Sequence, residues 1–283
     1  MAPPTQPKVL LFDIGGVCVV SPFQAILDYE LGHSIPPGWV NHSISRSAPN
    51  GFWHRLERGE ILLDSHFFRG FASDLHNPTL WKAFYSTQAR KNDTSLPVTV
   101  PQLPKVDAEF LFWAMMGGSR GMDPWMYPAL LALKKSGKYI MAGLSNTVIF
   151  PPSHPYSDPP PSEDVRRLFD VFISSAHVGL RKPDPKIYEL ALRKLDEFSR
   201  GNIEKDGKSL GGQEGIKANE VLFLDDIGEN LKAAKNVGFR TIKVGLGRAF
   251  EAVDELERET GLQLAGSHPR IPVTPVVPGK SKL

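Results

Sequence analysis

Apolar residues in this chain gather in short unbroken runs rather than alternating with polar ones. Lys8 to Val20 is one such run, interrupted by Asp13-Ile14-Gly15-Gly16; Tyr139 to Leu144, Val171 to Ser175, Val221 to Leu224 and Thr241 to Val244 are others. Runs this short, bounded by turn residues, read as strands buried on both faces. Helical patterning fills the space between them. Ser21-Pro22 offers a cap and a first-turn proline for a helix over Phe23 to Leu31. Segments 52–75, 78–91 and 105–116 read as helical. Asp123-Pro124 starts another helix and Gly137 ends it. Further helices are predicted over about 163–169, from Asp184-Pro185 to about Phe198, over Glu229 to Val237, and from Arg248 to Thr260.

Strand-helix alternation with short apolar strands predicts an α/β fold, a parallel sheet with helices on both faces. The long, mostly helical stretch after the first strand reads as an inserted α-helical cap. The expected division is 1–20 and 126–265 for the α/β core, 21–125 for the cap, and 266–283 for a flexible tail. Loops Pro151 to Pro161 and Gly201 to Gly215 are expected to cover surface.

At 283 residues, 41% hydrophobic and 23% charged, the composition is that of an ordinary globular protein with a sizeable core. A net charge of +2 spread along the chain gives no case for nucleic acid or an anionic membrane. No apolar run approaches the roughly 20 residues of a membrane span, and the first residues lack the apolar stretch of a signal peptide. The single cysteine, Cys18, excludes an intrachain disulfide and points to a reducing compartment. The chain ends in Ser281-Lys282-Leu283, the tripeptide read by a peroxisomal import receptor. The proline-rich Ser267 to Gly279 before it is expected to stay extended and exposed. The expected location is therefore the peroxisome, or the cytoplasm if the signal is not read.

Four stretches carry candidate chemistry. A strand ending in a carboxylate, as at Asp13, places it at the carboxyl edge of a parallel sheet, where such folds bind ligands. There it is either a nucleophile for phosphorus or a structural cap. Gly15 and Gly16 allow a sharp turn close to a ligand. Asp225 and Asp226 repel each other at a strand end, which suggests a cation such as Mg²⁺ between them; the alternative is a solvated acidic turn. Ser145 and Asn146 end a strand and offer donors to phosphoryl oxygens, or simply make a turn. Lys182, in the loop before Asp184-Pro185, offers an ammonium to offset charge between a carboxylate and a phosphate.

In the order strand-Asp, strand-Ser, Lys loop, strand-Asp-Asp, these stretches resemble the four signature motifs of the haloacid dehalogenase superfamily. The phosphatase-like N-terminal domain of soluble epoxide hydrolase is especially similar. Val221 to Phe239, His177 to Tyr188, and Arg55-Leu56-Glu57-Arg58-Gly59-Glu60-Ile61 in the cap carry that likeness, which covers roughly 8–262. The epoxide hydrolase domain itself is not expected. The resemblance implies a Rossmann-like core and a Mg²⁺-dependent phosphatase of a small phosphorylated metabolite. It makes Asp13 the nucleophile, forming an aspartyl-phosphate, and Lys182 the charge-neutralising lysine. Ser145, with Asn146 beside it, becomes the phosphate binder. Asp13, Asp225, Asp226 and the backbone carbonyl of Gly15 become the metal ligands.

The sequence departs from that pattern at Gly15, where family phosphatases carry the general acid. Such an acid typically contributes about 10² to 10⁴ in rate. Either the leaving group needs little protonation, as in an acyl phosphate or sugar 1-phosphate, or another side chain substitutes, with His33, His42 and His54 as candidates. Otherwise the protein is a weak enzyme or a binding protein. A 2-haloacid dehalogenase, which also lacks this acid, is the further alternative. All five tryptophans lie in or beside the cap; they fill its core or line an apolar pocket, and core filling is the favoured reading. Cys18 and His177 read as structural, and Gly245-Leu246-Gly247 lacks the context of a dinucleotide site.

Overall fold

The computed structural model describes residues 6–206 and 215–273. Five parallel strands form one sheet in the order β3-β2-β1-β4-β5: β1 Val9–Phe12, β2 Ile140–Ser145, β3 Val171–Ser174, β4 Val221–Asp225 and β5 Arg240–Lys243. β1 lies at the centre, with Leu11 opposite Ala142 on one side and Phe223 on the other. Every residue of β1, β2 and β4 is buried, as their continuous apolar runs require.

Alternate residues point to opposite faces. Leu10, Phe12, Leu222 and Leu224 pack with Leu130 and Leu133 of α8 (Met126–Ser136) and Leu256 of α12 (Ala249–Thr260). On the other face Val9, Leu11, Ile140 and Phe223 meet Ile187 and Tyr188 of α10 (Pro185–Asp206) and Leu231 of α11 (Gly228–Val237). Short α9 spans Ser175–Val178.

A third apolar cluster belongs to the helices between β1 and α8. These are α1 Phe23–Gly32, α2 Trp39–Arg46, α3 Phe52–Glu57, α4 Ser65–Leu75, α5 Pro78–Phe84, which continues through a π turn into α6 Arg90–Asn92, and α7 Ala108–Gly118. Trp39 and Trp81 are buried in this cluster, and Trp53 and Trp113 pack against it, so these four serve the cap's own core. Trp125 instead joins the sheet domain, edge-on to Phe250.

Four expectations are corrected. The helix predicted over 52–75 is two, because the chain turns at Gly59 with φ +65° and restarts where the Asp64 carboxylate accepts from the His66 and Phe67 amides. The stretch 163–169 forms two short 3₁₀ turns, Pro161–Glu163 and Val165–Leu168. Residues 266–273 are exposed but tied down: the Trp125 indole donates to Pro269 O at 3.0 Å, Arg270 pairs with Asp254, and Val273 N–H donates to Gly247 O at 2.8 Å. A tail expected to be free from 266 is therefore held as far as Val273. The helix expected to end at about Phe198 runs on to Asp206, so the expected loop from Gly201 begins later; residues 207–214 and Ser281, Lys282 and Leu283 lie outside the described residues. Among those described, no helix is long and apolar enough to cross a membrane.

Candidate active site

The carboxyl ends of β1, β2 and β4 bring the four stretches together. Asp13 N–H still donates to Leu224 O, so its backbone is fixed by the sheet while its side chain passes the sheet edge. Lys182 reaches in from the loop before α10. Its Nζ lies 2.8 Å from Asp13 Oδ1 and 2.7 Å from Asp225 Oδ2, and only 1% of the residue is exposed. Asp226 completes a group of three carboxylates, one oxygen of each lying within 4.8 Å of the others.

Each group is held by its surroundings. The Asp225 carboxylate accepts from Ile227 N–H at 2.7 Å and from Asn230 Nδ2 at 3.1 Å to each oxygen. Asp13 Oδ1 accepts from Ile14 N–H at 2.7 Å. The Asn146 side chain grips the lysine's own backbone: its Nδ2 donates to Lys182 O at 3.0 Å and its Oδ1 accepts from Lys182 N–H at 2.8 Å. Asn146 thus positions Lys182 with its side-chain oxygen and one of its two amide N–H groups. Ser145 is buried at the end of β2, and among the described residues its hydroxyl makes only a long 3.5 Å contact with Asn146 O, which leaves it able to donate elsewhere.

Three carboxylates share one ammonium, so the site carries excess negative charge when fully ionised. Burial pushes Asp13 up to about 7; Lys182 pulls against this and Asp225 and Asp226 add to it. Burial and then Asp225 push Asp226 up to about 6. Burial disfavours the charged lysine, yet Asp13 and Asp225 outweigh it and raise Lys182 above its usual value. An all-oxygen donor set with surplus charge, Asp13, Asp225 and Asp226, fits a hard divalent cation.

A pH dependence follows. Both raised carboxyls sit above their unfolded value of about 3.9. Their stabilising contribution is complete below that value and is lost as pH rises through 6 to 7. A divalent cation bound among these carboxylates would reverse the loss by replacing the protons. The thermal shift caused by Mg²⁺ should therefore be larger at pH 8 than at pH 5. Comparing with and without Mg²⁺ at each pH cancels groups away from the site, such as Glu30, also pushed up to about 7 by burial.

Gly16 is required by the turn. Its φ is +74°, and a Cβ there would lie 2.8 Å from Asp226 Oδ2 and 2.9 Å from Leu246 Cδ2. In a Gly16→Ala variant Asp226 must move, and half-maximal stabilisation should need about ten times more Mg²⁺ in a thermal-shift titration, equivalent to roughly 1.4 kcal/mol. Gly15 differs: its φ is not positive, and a Cβ there meets nothing within 4 Å. Neither the turn nor the space at the Cβ requires glycine at 15.

The three substitute candidates make other contacts. His33 stacks on Tyr29 with rings 4.1 Å apart, and His42 packs on Phe84 at 5.2 Å. His54 is buried on α3, where burial and then Arg181 and Arg58 lower it to about 4. None of the three hydrogen-bonds to Asp13, Lys182, Asp225 or Asp226. Cys18 is buried, donates to Asp13 O at 3.1 Å, and has its thiol pushed up by burial and by Asp13, so it stays unreactive. His177 Nδ1 contacts Ser174 Oγ at 2.7 Å, away from the carboxylates. Sequence reasoning missed the role of Asn230; a polar residue on the inward face of α11, one turn beyond Asp225, was the available signal.

The chain matches the model of the haloacid dehalogenase-like hydrolases over residues 7–238. It belongs to that family. Acyl-CoA dehydrogenase family member 10 of Mus musculus is 28% identical over 257 residues, covering 91% of this chain and 19% of that protein. Bifunctional epoxide hydrolase 2 of Sus scrofa is 27% identical over 270 residues, covering 94% of this chain and 41% of that protein. The chain therefore spans less than half the length of these relatives. A solved structure of a HAD family enzyme from Bacteroides thetaiotaomicron aligns with a TM-score of 0.49 at 19% identity, covering 88% of this chain and 99% of that one. An L-2-haloacid dehalogenase aligns with a TM-score of 0.48 at 19% identity, covering 85% of this chain and 87% of that one.

Proposed function

We propose that this hydrolase is a Mg²⁺-dependent phosphatase acting on a small phosphorylated metabolite through a phosphoryl group carried on Asp13. The observation that supports it is the buried Lys182 ammonium shared by Asp13 and Asp225, with Asp226 completing a carboxylate cluster suited to a divalent cation. An Asp13 oxygen bonds to phosphorus as the bond to the leaving oxygen breaks; water supplies the leaving group's proton, since Gly15 cannot. A second water then attacks phosphorus, breaks the Asp13–phosphorus bond and releases inorganic phosphate. Lys182 offsets the repulsion between Asp13 and the incoming phosphate, and the Ser145 hydroxyl holds a phosphoryl oxygen. Mg²⁺ bound among the carboxylates would draw off phosphoryl charge. Without an acid at 15, acyl phosphates and sugar 1-phosphates are the favoured substrates.

Gly15 also supports a second reading, displacement of halide from a 2-haloacid, which needs no proton. A panel of phosphorylated metabolites and 2-haloacids, assayed with Mg²⁺ and with chelator, separates the two. Phosphate release that chelator stops is the expected result; halide release indifferent to chelator would favour the second. The peroxisome is the proposed location. A fluorescent protein fused ahead of the intact chain should appear in peroxisomes and become diffuse on removal of Leu283.

A further inference from the structure

The cap stretch Arg55 to Ile61 and the core stretch beginning at His177 face each other across the seam between cap and core. Glu57 Oε2 accepts from Arg181 Nε at 2.7 Å and lies 2.7 Å from Arg181 Nη2. The Ser175 hydroxyl donates to Glu57 O at 2.6 Å and itself accepts from Thr147 N–H at 2.8 Å. Gly59, with φ +65°, is pressed so close that a Cβ would stand 2.1 Å from Ala176 O. Glu57 is only 8% exposed, so this pair is largely shielded from the water that weakens surface ion pairs.

These contacts end where the chemistry begins. Arg181 precedes Lys182, whose backbone is gripped on its other side by Asn146. Thr147 follows Ser145 and Asn146 at the tip of β2. We propose that Glu57 and Arg181 are positioning residues: the end of α3 holds the loops that present Lys182 and Ser145, so cap docking and lysine alignment are one event. This rests on reading Lys182 as the charge-neutralising group of a phosphatase.

Truncating Glu57 to alanine would strand Arg181 at the seam and risks unfolding, so the test uses Glu57→Gln, Arg181→Gln and the double variant. Hydrogen exchange at the Lys182 and Thr147 amides should quicken in Glu57→Gln while β1 amides keep wild-type protection. With a phosphate substrate from the panel, kcat per folded molecule should fall about 10- to 100-fold with KM changed far less. The double variant should lose no more than the worse single one. Unchanged exchange at Lys182, or unchanged kcat per folded molecule in an active enzyme, overturns the proposal. If the wild type turns over no phosphate, the phosphatase reading fails, and the exchange measurement still decides whether the cap fixes the lysine loop.

Discussion

Asp13→Asn should abolish metal-dependent phosphate release, by about 10³-fold or more, while the protein stays folded. The amide has the carboxylate's shape but cannot attack phosphorus. It still accepts from Ile14 N–H, and Lys182 keeps Asp225 as its partner. Stability should move the opposite way. Asp13 is pushed up to about 7 by burial, so its ionised form opposes folding at pH 8 in metal-free protein. A neutral Asn removes that cost and the repulsion with Asp225 and Asp226. The variant should therefore melt higher than wild type at pH 8 in chelator while losing activity. Thermal melts and a phosphate-release assay check both halves. Wild-type turnover by the variant would remove Asp13 from the mechanism.

Gly15→Asp should raise turnover of simple alkyl phosphates by about 10² to 10⁴, the usual contribution of a general acid. A Cβ meets nothing within 4 Å there, and the backbone is not in the left-handed region, so neither the backbone nor the Cβ position opposes a side chain at residue 15. The gain should shrink as the leaving group improves, because an acyl phosphate or sugar 1-phosphate needs little protonation. Rates across a series of leaving groups measure this. Equal rates for the variant and wild type on alkyl phosphates would mean that another group already supplies the proton or that the chemistry is different.

The sheet was legible because β1, β2 and β4 are buried on both faces, which writes them as continuous apolar runs. The site was legible in part because Asp13, Ser145 and Asp225 each end or directly follow such a run. What escaped depends on contacts between distant positions. Helix α2 has no capping side chain of its own; its start is held by Glu30, whose oxygens accept from Gly38 and Val40 N–H at 2.8 Å each. Asn146 reads locally as a turn residue and shows its role only when Lys182, 36 residues on, comes alongside. The Glu57 and Arg181 stretches stood out as motifs, but their meeting across the seam spans 124 residues of chain. The anchoring of residues 266–273 likewise depends on the Trp125 indole, which local composition does not reveal.

Acid-quenching wild-type enzyme during a single turnover and weighing the peptide that contains Asp13 shows whether Asp13 takes up phosphorus. The expected result is a phosphoryl group on Asp13 that forms and decays within the turnover and never forms in Asp13→Asn. A peptide that stays unmodified while phosphate is released, or one esterified instead to the substrate's carbon skeleton, would show that Asp13 carries no phosphoryl group.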